Sequence, residues 1–157
     1  MAKEIERKYL VTDDSYKSMA THSHHIIQTY LSTSPDATVR LRIIDTRAFL
    51  TVKSRNKGCC RGEWEYEIPL TDAREMIDSC NIANNTIEKT RYYVTFDNHT
   101  WEIDEFAGRL TGLTVAEIEL PTPDATYTLP PFIGTEVTDD PRYYNSVLTT
   151  LTYPFQP

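Results

Sequence analysis

Glu4-Ile5-Glu6-Arg7-Lys8-Tyr9-Leu10-Val11 alternates ionic with apolar or aromatic side chains from its first residue. In a strand, residues two apart share a face, so Glu4, Glu6 and Lys8 look one way and Ile5 and Tyr9 the other. The same alternation recurs downstream. Arg40 and Arg42 share a face of VRLRIID (39–45), and Lys53 ends AFLTVKS (48–54). Glu63, Glu65 and Glu67 share a face of EWEYEIPL (63–70), as do Lys89 and Arg91 in IEKTRYYVTF (87–96). Glu102 and Asp104 follow in WEIDEF (101–106), then Glu117 and Glu119 in TVAEIEL (114–120). With a further strand over 26–32, this makes about eight, joined by short connections that favour antiparallel pairing.

Three helices interrupt the strands. Asp13 and Asp14 suggest a cap for a helix over about 14–21, and Thr71 or Asp72 a cap for one running to about 79. Asp140 and Pro141 open a last helix near 140–151, which packs on the strands or closes one end of them. Tight turns are expected at Thr46–Arg47 and Asp97–Asn98. The HSHH run (22–25) reads as part of a connection, and Cys59 and Cys60 as a turn without partner cysteines at zinc spacing.

At 157 residues the chain suits one domain, 1–157. A charged N-terminus, three cysteines and the lack of a long apolar run point to the cytoplasm, away from a membrane. Net charge is −7, which removes the global basic field that nucleic acid would need.

Half-solvated antiparallel sheets also alternate. Solvent faces, however, mix signs and neutral polar residues, whereas the faces after the first strand are either acidic or basic. The alternative is an α+β fold built on a closed eight-stranded antiparallel barrel whose ionic faces point inward. Guanidinium and ammonium groups suit phosphate oxygens, and clustered carboxylates suit a hard divalent cation. Both together specify a metal–polyphosphate complex. On one strand face Glu4 and Glu6 lie roughly 6.6 Å apart, repelling by about 2.5 kcal/mol at an effective dielectric near 20. Nine inward acids against six inward bases would leave the bore at −3, so metal and polyanion binding should be coupled.

These motifs, in order, resemble the CYTH or triphosphate tunnel metalloenzyme superfamily, most closely its compact bacterial tripolyphosphatases. Glu4-x-Glu6-x-Lys8 is similar to the family's ExExK strand, Arg40-Leu41-Arg42 to its RxR strand and Thr51-Val52-Lys53 to its TxK strand. Glu65-Tyr66-Glu67 resembles its ExE, chosen over Glu63–Glu65 from the following Ile68. Glu88-Lys89-Thr90-Arg91 resembles its EKxR, and Gly134 through Asn145 its closing segment.

The resemblance implies hydrolysis of a triphosphate, inorganic tripolyphosphate first, with Mg²⁺ or alternatively Mn²⁺. It implies Glu4, Glu6, Asp104, Glu117 and Glu119 as metal ligands. Lys8, Arg40, Arg42, Lys53 and Arg91, with Glu65 and Glu67, would form the substrate site. Lys89 is the candidate for orienting or deprotonating water, and Tyr30 could reach the bore. Adenylate cyclisation, thiamine- or nucleoside-triphosphate hydrolysis and polyphosphate binding without turnover stay open. So does the choice between monomer and homodimer.

Overall fold

The computed structural model describes residues 3–80 and 82–156. Eight antiparallel strands close a ring: β1 (Lys3–Val11), β2 (His22–Ser32), β3 (Ala37–Ile44), β4 (Arg47–Ser54), β5 (Cys60–Ile68), β6 (Thr86–Phe96), β7 (His99–Phe106) and β8 (Thr114–Glu119). Around the ring the order is β1-β5-β4-β3-β2-β6-β7-β8, and β9 (Ile133–Glu136) adds to β1 beyond its pairing with β5. The β1–β5 seam is short, pairing Lys3, Glu4 and Ile5 with Gly62, Arg61 and Cys60.

Two hairpins carry the left-handed backbone that tight strand connections need. Asp97 and Asn98 both have positive φ (47° and 62°), the twist that matches a two-residue hairpin, and Asp45 (φ 51°) turns β3 into β4. Asp and Asn tolerate this region because their short polar side chains offset its steric cost.

The outward faces make the hydrophobic core. Ile5 and Tyr9 of β1, Val94 of β6, Trp101 and Ile103 of β7 and Ile118 of β8 pack beneath Tyr16 and Phe132. The cover is the short helix α1 (Tyr16–Met19) and the segment running to Phe132. Side chains such as Trp101 and Phe132, fully out of water, each contribute about 1.5–3 kcal/mol. Helix α2 (Leu70–Ser79) covers β3 and β4 through its buried Ala73. Among the described residues no helix is long and apolar enough to cross a membrane.

The first and last helices are shorter than the sequence suggests. Helix α2 instead begins at Leu70 after Pro69, ahead of the expected Thr71 or Asp72 cap, and ends at Ser79 as expected. Ser15, not Asp13 or Asp14, occupies the cap position of α1, and the Asp13 carboxylate accepts the Ser15 N–H (2.8 Å). Asp140 does cap, accepting from Arg142 N, but the turn it starts (Pro141–Tyr143) stops at Tyr144, whose ψ is 130°. A second short helix, α3 (Asn145–Leu148), follows in place of one continuous helix over 140–151.

The HSHH run is also strand rather than connection, because β2 begins at His22 and pairs with β6 along its whole first half. His24 hydrogen-bonds Asp45 (2.6 Å) and His25 hydrogen-bonds Glu88 (2.6 Å), each imidazole held by a cross-strand carboxylate.

Candidate active site

Period-two alternation sends the ionic side chains into the ring, where they line a cavity of about 260 Å³. β1 contributes Glu4, Glu6 and Lys8, β3 Arg40 and Arg42, and β4 Lys53. β5 contributes Arg61, Glu63 and Glu65; β6 Lys89 and Arg91; β7 Glu102; β8 Glu117 and Glu119. Seven acids therefore meet seven bases on the lining, not nine against six, and the cavity surface is near neutrality rather than at −3.

One end is blind. The inward face turns apolar at Ile87, Phe106 and Val115, which pack with Tyr143 and Leu148 of the C-terminal segment. Asn145 of α3 reaches the cavity, and Lys89 Nζ donates to its Oδ1 at 3.2 Å. Lys8 Nζ donates to the Tyr143 carbonyl at 2.9 Å. The C-terminal segment thus closes a mouth of the barrel instead of only packing beside it. Tyr30 does reach the bore, buried on the lining with its hydroxyl accepting from Gln28 Nε2 (3.0 Å).

Four of the seven basic groups fall into two pairs. Lys89 and Arg91 share Asp104, at 2.7 Å from Lys89 Nζ and at 2.7 and 2.8 Å from the Arg91 guanidinium. Burial pulls the Lys89 amine down to about 8, with Arg91 adding to the shift and Asp104 opposing it. Across the bore, Glu65 takes hydrogen bonds from Arg42 (2.9 Å), Arg40 (3.3 Å) and Thr51 (2.7 Å). Arg40 Nε and Arg42 Nε are nevertheless buried without a partner. A buried donor left unsatisfied costs about 1–3 kcal/mol, so this pair of guanidinium groups is set for an acceptor from a ligand.

The carboxylates divide by whether they are paired. Lys53 Nζ lies 3.0 Å from Glu4 and 3.0 Å from Glu63, and Arg61 Nε 3.0 Å from Glu4. Burial works to raise the Glu4 pKa, but Lys53 and Arg61 overcome it and hold the group well below the usual range. Glu117 behaves alike: burial is outweighed by Lys8 at 3.5 Å, Arg91 and Lys89.

Glu6 and Glu119 face each other in the β1–β8 register, and among the described residues neither has an ion-pair partner. Burial, then Glu117 and Glu4, push the Glu6 carboxyl up to about 8; burial and Glu4 raise Glu119 as well. Two carboxyls raised by burial and by neighbouring acids in one enclosed bore fit a hard divalent cation, which would relieve both. Among the described residues no group of three or more His, Cys, Asp or Glu side chains is placed to hold a metal ion, so a divalent cation here would take one or two carboxylates and complete its ligands from substrate phosphates and waters.

Two sequence-derived residues stand elsewhere. Glu67 is paired with Arg47 (2.7 and 2.9 Å), exposed beyond the cavity rim, so the inward pair of β5 is Glu63–Glu65, not Glu65–Glu67. The following Ile68 misdirected that choice, since Glu67 shares the face but lies past the end of the bore. Asp104, only 1% exposed, sits behind the lining with both oxygens taken by Lys89 and Arg91. In this arrangement it holds the bases rather than offering a free metal ligand.

Arg61 was missed. Gly62 breaks the hydrophobic alternation beside it, and only the seam with β1 shows that it faces Glu4. Glu102 was assigned to the bore but to no role; it lines the cavity and forms an ion pair with Arg91.

The CYTH domain family matches residues 2–144. An inorganic triphosphatase of Acetivibrio thermocellus is 44% identical over 98% of this chain and 97% of its own. One of Nitrosomonas europaea is 37% identical over 92% of this chain and 95% of its own. The crystal structure of an inorganic triphosphatase superposes with a TM-score of 0.66 at 34% identity, covering 95% of each chain.

Proposed function

Because the chain belongs to the CYTH domain family, we propose that its tunnel binds inorganic triphosphate and hydrolyses a terminal phosphoanhydride bond, releasing orthophosphate. The observation that carries this reading is the convergence of unsatisfied Arg40 and Arg42 donors with the unpaired Glu6–Glu119 carboxylates inside one blind cavity. A blind bore takes the end of a polyphosphate and cannot thread one. Incubation with tripolyphosphate and, separately, ATP, reading orthophosphate against cyclic AMP, tests hydrolase against cyclase. Cyclic AMP as the main product would overturn the assignment, as would tight binding without turnover.

Roles follow from position. Arg40, Arg42, Lys53, Lys8 and Arg91 hold the phosphate oxygens, with Arg42 offering a fork and Lys8 fixed against the Tyr143 carbonyl at the blind end. Glu6 and Glu119, with Glu4 and Glu117 beside them, would hold Mg²⁺, or Mn²⁺ in its place. When bound, the cation neutralises charge on the phosphates and on these carboxylates. The three cysteines, free in this structure, are in keeping with a cytoplasmic setting.

Lys89 positions the attacking water. As a neutral amine it has two N–H bonds and one lone pair, and Asp104 and Asn145 accept the two N–H bonds. The lone pair is then directed to the remaining side, toward the cavity it lines. With a pKa near 8, a useful fraction is neutral at physiological pH and able to take the water proton during in-line attack. Lys89→Ala should lower kcat by about 10²- to 10⁴-fold, with a much smaller change in KM. An unaltered kcat would assign the water to another group.

Metal affinity should depend on pH. Glu6, raised to about 8, must lose its proton to serve as ligand, so affinity rises with pH and levels off above 8. Below that value the loss approaches about tenfold per pH unit for one proton released. Calorimetric titration of Mg²⁺ into the free protein, in buffers of different ionisation enthalpy, counts that proton. A flat affinity from about pH 6.5 to 8.5 would remove Glu6 from the ligand set.

A further inference from the structure

Period-two alternation places His22, His24 and Ile26 on one face of β2, the face that carries Tyr30 to the tunnel. In the register with β6, His24 lies opposite Arg91 and His22 opposite Tyr93. Arg91 lines the cavity and Ile87 belongs to its blind end, so the two histidines stand at the other end, where the bore opens. The proposed hydrolysis uses neither imidazole.

Both rings are fixed through the same nitrogen. The Thr21 hydroxyl donates its one proton to the Tyr93 carbonyl (3.3 Å), so toward His22 Nδ1 (2.9 Å) it is left as an acceptor. The Asp45 carboxylate accepts from His24 Nδ1 at 2.6 Å. Each neutral imidazole therefore carries its proton on Nδ1 and its lone pair on Nε2. Among the described residues neither Nε2 has a hydrogen-bond partner. The Tyr93 ring stacks on His22, with centroids 4.4 Å apart and planes within 7°, and so restrains it. A histidine whose other nitrogen donates to a carboxylate, as His24 does, has the orientation of a metal ligand.

The spacing selects a coordination geometry. Bound through Nε2 at about 2.1 Å, an imidazole has its centroid about 3.2 Å from the metal. Two such rings stand about 5.2 Å apart at a tetrahedral centre, and about 4.5 Å apart on adjacent octahedral positions. The His22 and His24 centroids are 5.3 Å apart. Nitrogen donors also favour a transition ion over Mg²⁺, which prefers oxygen. Arg91, the cation across from His24, is already matched by Asp104 and Glu102. Among the described residues no third His, Cys, Asp or Glu side chain joins the pair, which leaves two positions to water.

We propose that His22 and His24 form a two-imidazole site at the tunnel mouth that binds one tetrahedral Zn²⁺ ion, separate from the carboxylates that would hold Mg²⁺. The two Nε2 lone pairs and two waters complete its coordination. The site does not rest on the hydrolase reading, since no phosphate takes part.

Zn²⁺ is the probe, titrated calorimetrically into the whole protein in saturating Mg²⁺ and phosphate-free buffer, with imidazole ¹⁵N spectra recorded on the same samples. One Zn²⁺ per chain is expected, with the Nε2 resonances of His22 and His24 moving and those of His25 and His99 staying. His22→Asn and His24→Asn should each weaken binding by about 100-fold, since even the loss of a group behind a metal ligand costs 10- to 100-fold. His25→Asn, on the opposite face of β2 and paired with Glu88, should bind as the wild type does. Zinc-free spectra confirm that each variant is folded. Absence of binding, binding that leaves the imidazoles unmoved, or binding lost in His25→Asn overturns the site. Hydrolysis of tripolyphosphate with Mg²⁺ should be unchanged in His24→Asn; a parallel loss would overturn the separation from the Mg²⁺ carboxylates. If Zn²⁺ binds as expected in a protein that never hydrolyses tripolyphosphate, the zinc site stands and the hydrolase reading falls.

Discussion

Glu6→Gln is expected to reduce metal-dependent phosphate release by more than about 100-fold, since even partners of a metal ligand typically cost 10- to 100-fold. The same substitution should raise the melting temperature of the metal-free protein at pH 8. The two effects share one cause. Glu6 has no ion-pair partner among the described residues, and burial with Glu117 and Glu4 lifts its pKa to about 8, well above the ordinary carboxyl value of about 4.5. A carboxyl raised in the folded state binds its proton more tightly there than in the unfolded chain. Stability therefore falls as pH climbs from about 4.5 to 8, where the unfolded chain has already released its proton. Glutamine keeps the shape and removes the charge. Thermal melts at pH 6 and 8, with and without Mg²⁺, separate the components: the gain should grow with pH and shrink when metal is added to the wild type. A variant that melts lower than wild type at pH 8 would mean that Glu6 is stabilised by contacts other than a cation.

Asp104→Ala should cost about 3–5 kcal/mol of folding stability, the penalty for leaving buried charges uncompensated. Asp104 and Lys89 are each 1% exposed, and Arg91 is nearly as buried. The carboxylate is the one group bonded to both bases (2.7–2.8 Å), so its loss leaves Lys89 without a counter-charge and Arg91 with Glu102 alone, in a medium that solvates neither well. Burial alone would raise the Asp104 pKa, yet Arg91 and Lys89 bring it below the ordinary value. A lowered carboxyl contributes stability above its unfolded pKa of about 3.8 and loses it as pH falls through the folded value. Urea unfolding at pH 7 should show the full deficit, and the gap to wild type should narrow below about pH 3.8. Equal stability at pH 7 would show that Lys89 and Arg91 find another counter-charge. Without Asp104 the Lys89 amine also loses its strongest hydrogen-bond acceptor, so kcat should drop in whatever fraction stays folded.

The strand faces are legible in the sequence alone. A period of two leaves no choice about which residues travel together, and the segregation of acid from base along separate strands marked the inward side. Lys89, Arg91, Arg40, Arg42, Lys53, Glu4, Glu6, Glu117 and Glu119 all reach the cavity that this pattern predicted. Helix ends and loops were harder, because caps such as Asp140 mark where a helix begins and not whether it continues. Tyr144 leaves helical geometry, and the C-terminal segment turns in to close the barrel. The histidine run looked like a connection because polar residues crowd it. Backbone pairing with β6 makes it a strand, and the carboxylates of Asp45 and Glu88 hold its imidazoles.

Alternation along each segment determined, from the sequence alone, that ionic side chains oppose apolar ones and that a closed bore would gather them. Only the tertiary structure decided which charges meet. Register and closure join residues far apart in the chain, setting Arg61 against Glu4, Glu119 against Glu6 and Asp104 between Lys89 and Arg91. Glu67 carries the same local pattern as Glu65 yet falls outside. The length of the bore is set by where neighbouring strands begin and end, which no single strand encodes.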